Sequence, residues 1–210
     1  MAGYHGSRLP ADARREIVWR ALWRHYFSTR IEPDFTVLDL GCGYGSFINQ
    51  VVARRRIAVD TWGDFPRHLE HGVESRICEA TDLAFLSDGS VDYAFASNLF
   101  EHLPQGALVS VLDQLRAKLS RRGSLTLLQP NYRYAFREYF DDYTHVTAYS
   151  HVSLADLLRA NDYTVLEVVP RFMPLTVKSR FPVSPLLVGA YLRSPLRPYG
   201  KQMLIRARPA

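Results

Sequence analysis

Cysteine and lysine are both scarce in this chain of 210 residues. The two cysteines, Cys42 and Cys78, show no C-x-x-C or zinc-type spacing, which argues against a disulfide framework and leaves both expected as reduced thiols. Lysine occurs only at Lys118, Lys178 and Lys201, so the net charge of +5 and the pI near 9.3 rest almost wholly on dispersed arginine. Arg54-Arg55-Arg56 and Arg121-Arg122 fall where the apolar pattern predicts helix ends, a placement that the helix dipole favours. No Lys/Arg run reaches recognition length, and no nucleic-acid partner is expected. Long apolar runs are missing too: nothing approaches the ~20 residues that span a bilayer. The opening MAGYHGSRLP lacks the apolar stretch of a signal peptide. Membrane contact is not expected, and a cytoplasmic protein is. Internal repeats, low-complexity tracts and interdomain linkers are absent as well.

What remains is an ordinary globular composition, 47% hydrophobic and 22% charged, long enough for one full core. Glycine is concentrated in Val37-Leu38-Asp39-Leu40-Gly41-Cys42-Gly43-Tyr44-Gly45-Ser46. An apolar run stops there at a glycine-dense turn, and a helical pattern follows. That order predicts a strand, a tight loop and a helix start, with bare backbone against which a nucleotide-type ligand can lie. Ser46 occupies the sixth position, where the dinucleotide fingerprint needs glycine, which disfavours a nicotinamide oxidoreductase. The pattern is instead D-x-G-x-G-x-G from Asp39 to Gly45. It resembles motif I of the class I S-adenosylmethionine-dependent methyltransferases.

The chain order agrees with that resemblance. A leading helix over Ala13 to Ser28 places Val18, Trp19, Leu22, Trp23 and Tyr26 on one stripe, read mainly as core. Strands are predicted at Thr36 to Leu40, Ile57 to Asp60, Val73 to Ala80, Val91 to Ala96 and Ser124 to Leu128. Helices are expected around Phe47 to Val52, over Asp64 to Gly72, and from Pro104 through Leu108, Val111, Leu112, Leu115 and Leu119 to a stop at Gly123. Such alternation implies right-handed crossovers and an open, mainly parallel sheet with ligands at the carboxyl ends of its strands. The resemblance adds an antiparallel C-terminal pair, assigned to Thr164–Val169 and Gln202–Arg206. The expected fold is therefore α/β, Rossmann-like and doubly wound. It divides into a helical extension over 1–33 and a cofactor-binding domain over 34–210, with acceptor-pocket insertions at about 131–151 and 173–200. Within the second insertion, Phe181 to Leu196 reads as a lid or a contact between two copies of the chain.

Asp60 closes its strand about twenty residues past the loop, where an acid can accept hydrogen bonds from both ribose hydroxyls of a nucleoside. The resemblance implies that S-adenosyl-L-methionine is the cofactor. Asp39, Gly41, Cys42, Gly43, Gly45, Asp60 and Thr61 would hold it on one side, Glu79, Ala80 and Asp82 would border the adenine, and Ser97 and Asn98 would lie near the methyl. The acceptor expected is a small or glycan-linked molecule, methylated at oxygen. Such a hydroxyl benefits from losing its proton to a group that titrates near neutrality, which points to histidine. His102, in the Glu101-His102-Leu103 segment after the fourth strand, and His145, in Asp141-Asp142-Tyr143-Thr144-His145, are the two candidates. The aromatics from Asn131 to Phe140 would either wall the acceptor pocket or pack the insertion onto the sheet. Asp141, Asp142, His145 and His151 match no established metal spacing, so no metal ligand is assigned. A partner protein that keeps the fold without catalysis is the alternative.

Overall fold

The computed structural model describes residues 13–174, 184–194 and 196–210. The reading of the first ten residues, and that of Phe181 to Leu196 at positions 181–183 and 195, lie outside the described residues. Seven strands form one sheet in the order β3-β2-β1-β4-β5-β7-β6. In chain order these are β1 (Thr36–Leu40), β2 (Arg55–Asp60), β3 (Val73–Ile77), β4 (Val91–Ser97), β5 (Leu119–Pro130), β6 (Tyr163–Pro174) and β7 (Gly200–Pro209). The first five run parallel, while β7 is antiparallel to both β5 and β6. This is the mainly parallel sheet that the sequence order predicts, with the antiparallel end that the resemblance implies.

Alternation along the strands sends apolar side chains to both faces. In β1, Leu38 and Leu40 enter one core and Val37 the other. The first face is covered by α2 (Gln105–Lys118) and α4 (His151–Ala160), through Leu108, Val111, Leu112, Leu115, Leu154 and Leu158. The opposite face is covered by α1 (Ala13–His25), whose Val18 and Leu22 are buried beside Phe27, Phe47 and Phe95. Trp19 meets Phe95 edge-on at 5.8 Å between centroids, and Phe47 lies 4.1 Å from the same ring. A fifth helix, α5 (Pro185–Arg193), approaches α1 closely, since a Cβ on Gly189 would sit 2.6 Å from His25 Nε2. The short α3 (Tyr132–Ala135) follows β5.

Several expected elements differ. No α-helix follows the glycine loop: the chain makes a single 3-10 turn over Ile48–Gln50 and is extended again at Val51. The adjacent Val51 and Val52 lower helix propensity, and α1 supplies the cover that a crossover helix would have given. The expected helix over Asp64 to Gly72 is likewise one 3-10 turn, Phe65–His68. Asn49 interrupts it by accepting from the Glu70 N–H at 2.9 Å and donating to the His68 carbonyl at 2.8 Å. Gly123 does not stop a helix. α2 ends at Lys118 with Leu119 already extended, and Gly123 lies within β5, where a Cβ would come 2.9 Å from the Ser120 backbone. Arg55, Arg56, Arg121 and Arg122 therefore sit in strands, and Arg54 just before one, not at helix ends. Arg55 pairs with Glu74 at 2.8 Å and Arg122 with Asp34 at 2.8 Å. α4 was not anticipated, although Ser150 and Ser153 form a capping box at its start.

At the amino ends of the strands, Asp92 accepts from the buried Thr36 N–H at 2.9 Å and from Ser120 Oγ at 2.8 Å. Asp92→Ala would orphan both donors, an expected loss of ~2 to 3 kcal/mol in urea unfolding. Ligand binding at the carboxyl ends of the strands should not change, because Asp92 lies at the opposite end of the sheet.

Candidate functional site

A cavity of about 520 Å³ opens at the carboxyl ends of β1, β2 and β4, within the size range of small-ligand sites. Its geometry starts with three glycines. Gly41, Gly43 and Gly45 have φ of +67°, +52° and +70°, a left-handed conformation that side chains resist. Room is short as well: a Cβ on Gly41 would lie 3.1 Å from Leu99 Cδ1, and one on Gly45 would lie 2.6 Å from Leu69 Cδ2. Gly41 and Cys42 both donate to the Val59 carbonyl, at 2.8 and 3.1 Å, while Gly43 donates to Asp60 Oδ2 at 2.8 Å. The other oxygen of Asp60 accepts from the Trp62 N–H at 2.9 Å. One carboxylate thus joins the glycine loop to the turn after β2.

Asp39 stands beneath the loop. Burial raises its carboxyl well above the usual range, with nearby Asp60 acting in the same direction. Burial likewise pushes the Cys42 thiol far up, so Cys42 serves as an uncharged wall and not as a nucleophile. Above the loop, the Tyr44 ring meets Trp62 and His68 edge-on at 4.9 and 4.8 Å, and His68 stacks on Trp62 at 5.2 Å.

The other end of the cavity is polar. β4 ends at Ser97, and Asn98 follows it. Asn98 has φ +50° and is held by Gln202 Nε2 at 3.0 Å and by its own N–H to Leu128 O at 2.8 Å. Beyond it lie Glu101, His102 and the loop that carries Thr144 and His145. The Glu101 carbonyl accepts from Val146 and Thr147 N–H groups at 2.9 and 3.2 Å, and Thr147 Oγ1 donates to the Leu103 carbonyl at 2.9 Å. These bonds bring two segments more than forty residues apart into register. The His102 and His145 rings consequently meet edge-on at 4.8 Å.

His102 Nδ1 lies 3.2 Å from the Thr144 carbonyl and 2.9 Å from Thr144 Oγ1, whose hydroxyl donates to Asp142 at 2.6 Å. A carbonyl can only accept, so Nδ1 carries the hydrogen and Nε2 the lone pair. The 2.6 Å contact of His145 Nδ1 with the Tyr139 carbonyl fixes the same tautomer. Burial lowers the His102 pKa, with His145 contributing, which favours a neutral imidazole. Burial pushes the Glu101 carboxyl up to about 8.

Of the residues singled out from sequence, Asp39, Gly41, Cys42, Gly43, Asp60, Thr61, Ser97, Asn98 and His102 line this cavity. Gly45 shapes the loop from behind, and His145 stands behind His102. Glu79, Ala80 and Asp82 are not on its wall: they follow β3, with Ala80 buried in the core and Cys78 N–H bonded to Asp60 O at 3.2 Å. Arg15, Trp19, Trp62 and Thr144 also line the cavity. Sequence reasoning missed them as site residues or, for Trp19, read it as core. Only Trp62 carried a signal, its position two residues after Asp60. The four residues weighed as metal ligands do not gather, since His151 instead stacks on Tyr134 and contacts Asn131 at 2.9 Å.

A family model described as a methyltransferase domain matches residues 12–168. The chain belongs to this family. Solved structures share the fold of this methyltransferase. A SAM-dependent methyltransferase from Archaeoglobus fulgidus is 22% identical with a TM-score of 0.69, covering 92% of this chain and 93% of the other. A possible histamine N-methyltransferase from Thermotoga maritima is 17% identical with a TM-score of 0.64, covering 93% and 90%. Geranyl diphosphate C-methyltransferase from Streptomyces coelicolor, solved with Mg2+, geranyl diphosphate and S-adenosyl-L-homocysteine, is 17% identical with a TM-score of 0.59, covering 86% and 72%. Among curated proteins, none matches. The cofactor of this methyltransferase is S-adenosylmethionine. The site fits it: a glycine cradle that a Cβ would fill, with a carboxylate at the adjoining strand end. No described helix is long and apolar enough to cross a membrane.

The loop's dependence on glycine can be measured. Gly45→Ala combines a left-handed φ with a 2.6 Å approach to Leu69, and a loss of ~1 to 3 kcal/mol is expected. Thermal unfolding should show it, accompanied by weaker S-adenosylhomocysteine binding in calorimetry.

Proposed function

We propose that this methyltransferase acts on a small-molecule or glycan-linked acceptor, at oxygen, with His102 and His145 bearing on the acceptor's hydroxyl proton. The observation that carries this reading is the histidine pair set at the polar end of the cavity, beyond Ser97 and Asn98. In this reading Asp60 and Thr61 hold the ribose while the loop from Gly41 to Gly45 cradles the cofactor around Asp39 and Cys42. The turn carrying Glu79, Ala80 and Asp82, tied to Asp60 through Cys78, borders the adenine. S-adenosylmethionine supplies a methyl group on a positively charged sulfur. The chain's residues then have to place an oxygen in line with that methyl, exclude water and accommodate the departing proton. The two imidazoles, oriented through Nδ1 by the Thr144 and Tyr139 carbonyls, bear on the last task. Exposed Phe136, Phe140 and Tyr143 beside this end offer flat apolar surface to an organic acceptor or to a sugar face.

A cytoplasmic setting agrees with the two free cysteines. For the segment read as a lid or a contact between copies, the contact is supported by Leu186 and Leu187, which α5 holds in solvent.

Asp60→Ala should weaken S-adenosylhomocysteine binding about tenfold to a hundredfold, as expected for lost charge-assisted hydrogen bonds. Calorimetry showing parental affinity would remove the ribose assignment. His102→Ala and His145→Ala should each lower turnover on an acceptor found by screening hydroxyl compounds, with S-adenosylhomocysteine affinity intact. Undiminished turnover in both variants would sink the proposed role of the pair.

A further inference from the structure

Glu101 is fully buried, and neither of its carboxyl oxygens has a hydrogen-bond partner among the described residues. A carboxyl group in that state is costly to keep inside a protein unless something charged or hydrogen-bonding completes it. Val146 and Thr147 donate to its backbone carbonyl, which fixes where the side chain starts. Beside it stand the two histidines already described. One ligand atom each from Glu101, His102 and His145 lie within 4.8 Å of one another.

Both imidazoles carry the arrangement that metal-binding histidines carry. Each gives its Nδ1 hydrogen to a backbone carbonyl, Thr144 or Tyr139, which orients the ring and leaves the lone pair on Nε2. Asp142 extends this outer layer through Thr144 Oγ1. Ligand atoms about 2.1 Å from a shared ion lie at most about 4.2 Å apart. The cluster must tighten by roughly half an ångström, which small side-chain rotations supply.

We propose that Glu101, His102 and His145 form a site for a divalent transition-metal cation at the acceptor end of the cavity. One carboxylate with two imidazoles suits Mn2+, Fe2+, Co2+ or Zn2+ better than Ca2+ or Mg2+, which favour all-oxygen sites. Three protein ligands leave coordination positions open, and one of the three, His102, also lines the cavity. What the ion does there rests on the reading of an oxygen acceptor; whether it binds does not. Coordinated to the ion, the acceptor's hydroxyl loses its proton to solvent more readily. The oxygen then forms its bond to the methyl carbon as the carbon–sulfur bond breaks, and that bond's electron pair stays on sulfur. The two imidazoles thus bear on the proton through the ion instead of taking it directly.

The test is a titration of tag-free, chelator-stripped full-length protein with Co2+, read by visible absorption, with S-adenosylhomocysteine calorimetry on the same samples. One Co2+ per chain is expected, with affinity reduced more than about tenfold in both Glu101→Gln and His145→Asn. His71→Ala, at an exposed histidine, should titrate like the parent. His145→Asn, at a half-buried position, keeps the test meaningful if the buried Glu101 substitution impairs folding. No cobalt spectrum in the parent, or one unchanged in both variants, overturns the site. Such a failure with S-adenosylhomocysteine binding intact leaves the methyltransferase reading standing, and cobalt binding lost in both variants supports the site whatever the acceptor proves to be.

Discussion

The site depends on one carboxylate. Asp60, at the end of β2, accepts the N–H of Gly43 with one oxygen and that of Trp62 with the other. Two loops from neighbouring strands are thereby fixed to each other at the edge of the cavity. The glycines make the arrangement possible, because only a chain without Cβ atoms turns through three left-handed positions this close to Leu99 and Leu69. β2 contributes as well, through the Val59 carbonyl that takes the Gly41 and Cys42 N–H groups. The loop is thus held by its neighbours' backbone and not by a following helix.

That difference reaches the rest of the fold. Where a crossover helix would cover the sheet, the chain has a single 3-10 turn, and α1 takes over with Trp19 set between Phe27, Phe47 and Phe95. The same helix contributes Arg15 and Trp19 to the cavity wall. Covering the core and lining the site have become one task for one amphipathic helix.

At the opposite end, backbone hydrogen bonds again do the organising. The Glu101 carbonyl receives both Val146 and Thr147, drawing the loop before α4 against the end of β4. Glu101, His102 and His145 meet as a result, and Tyr139 and Thr144 set the orientation of both rings.

The succession of strands along the chain, the glycine loop, and Asp60 and Ser97 at their strand ends were legible in the sequence because they depend on local signals: apolar alternation, glycine spacing and an acid at a strand end. Element lengths were less legible. Asn49 ends a helix through side-chain bonds to residues about twenty positions away, and Gly123 reads as a stop although it marks a close backbone approach inside β5. The family and its cofactor were thus settled by the sequence. The tertiary structure alone decided that His102 and His145 share one place with the buried Glu101, while the Asp142 side chain holds Thr144 and His151 stacks on Tyr134. The reason is physical: contacts between residues more than forty positions apart are set by backbone hydrogen bonds across loops, which leave no periodicity in the sequence.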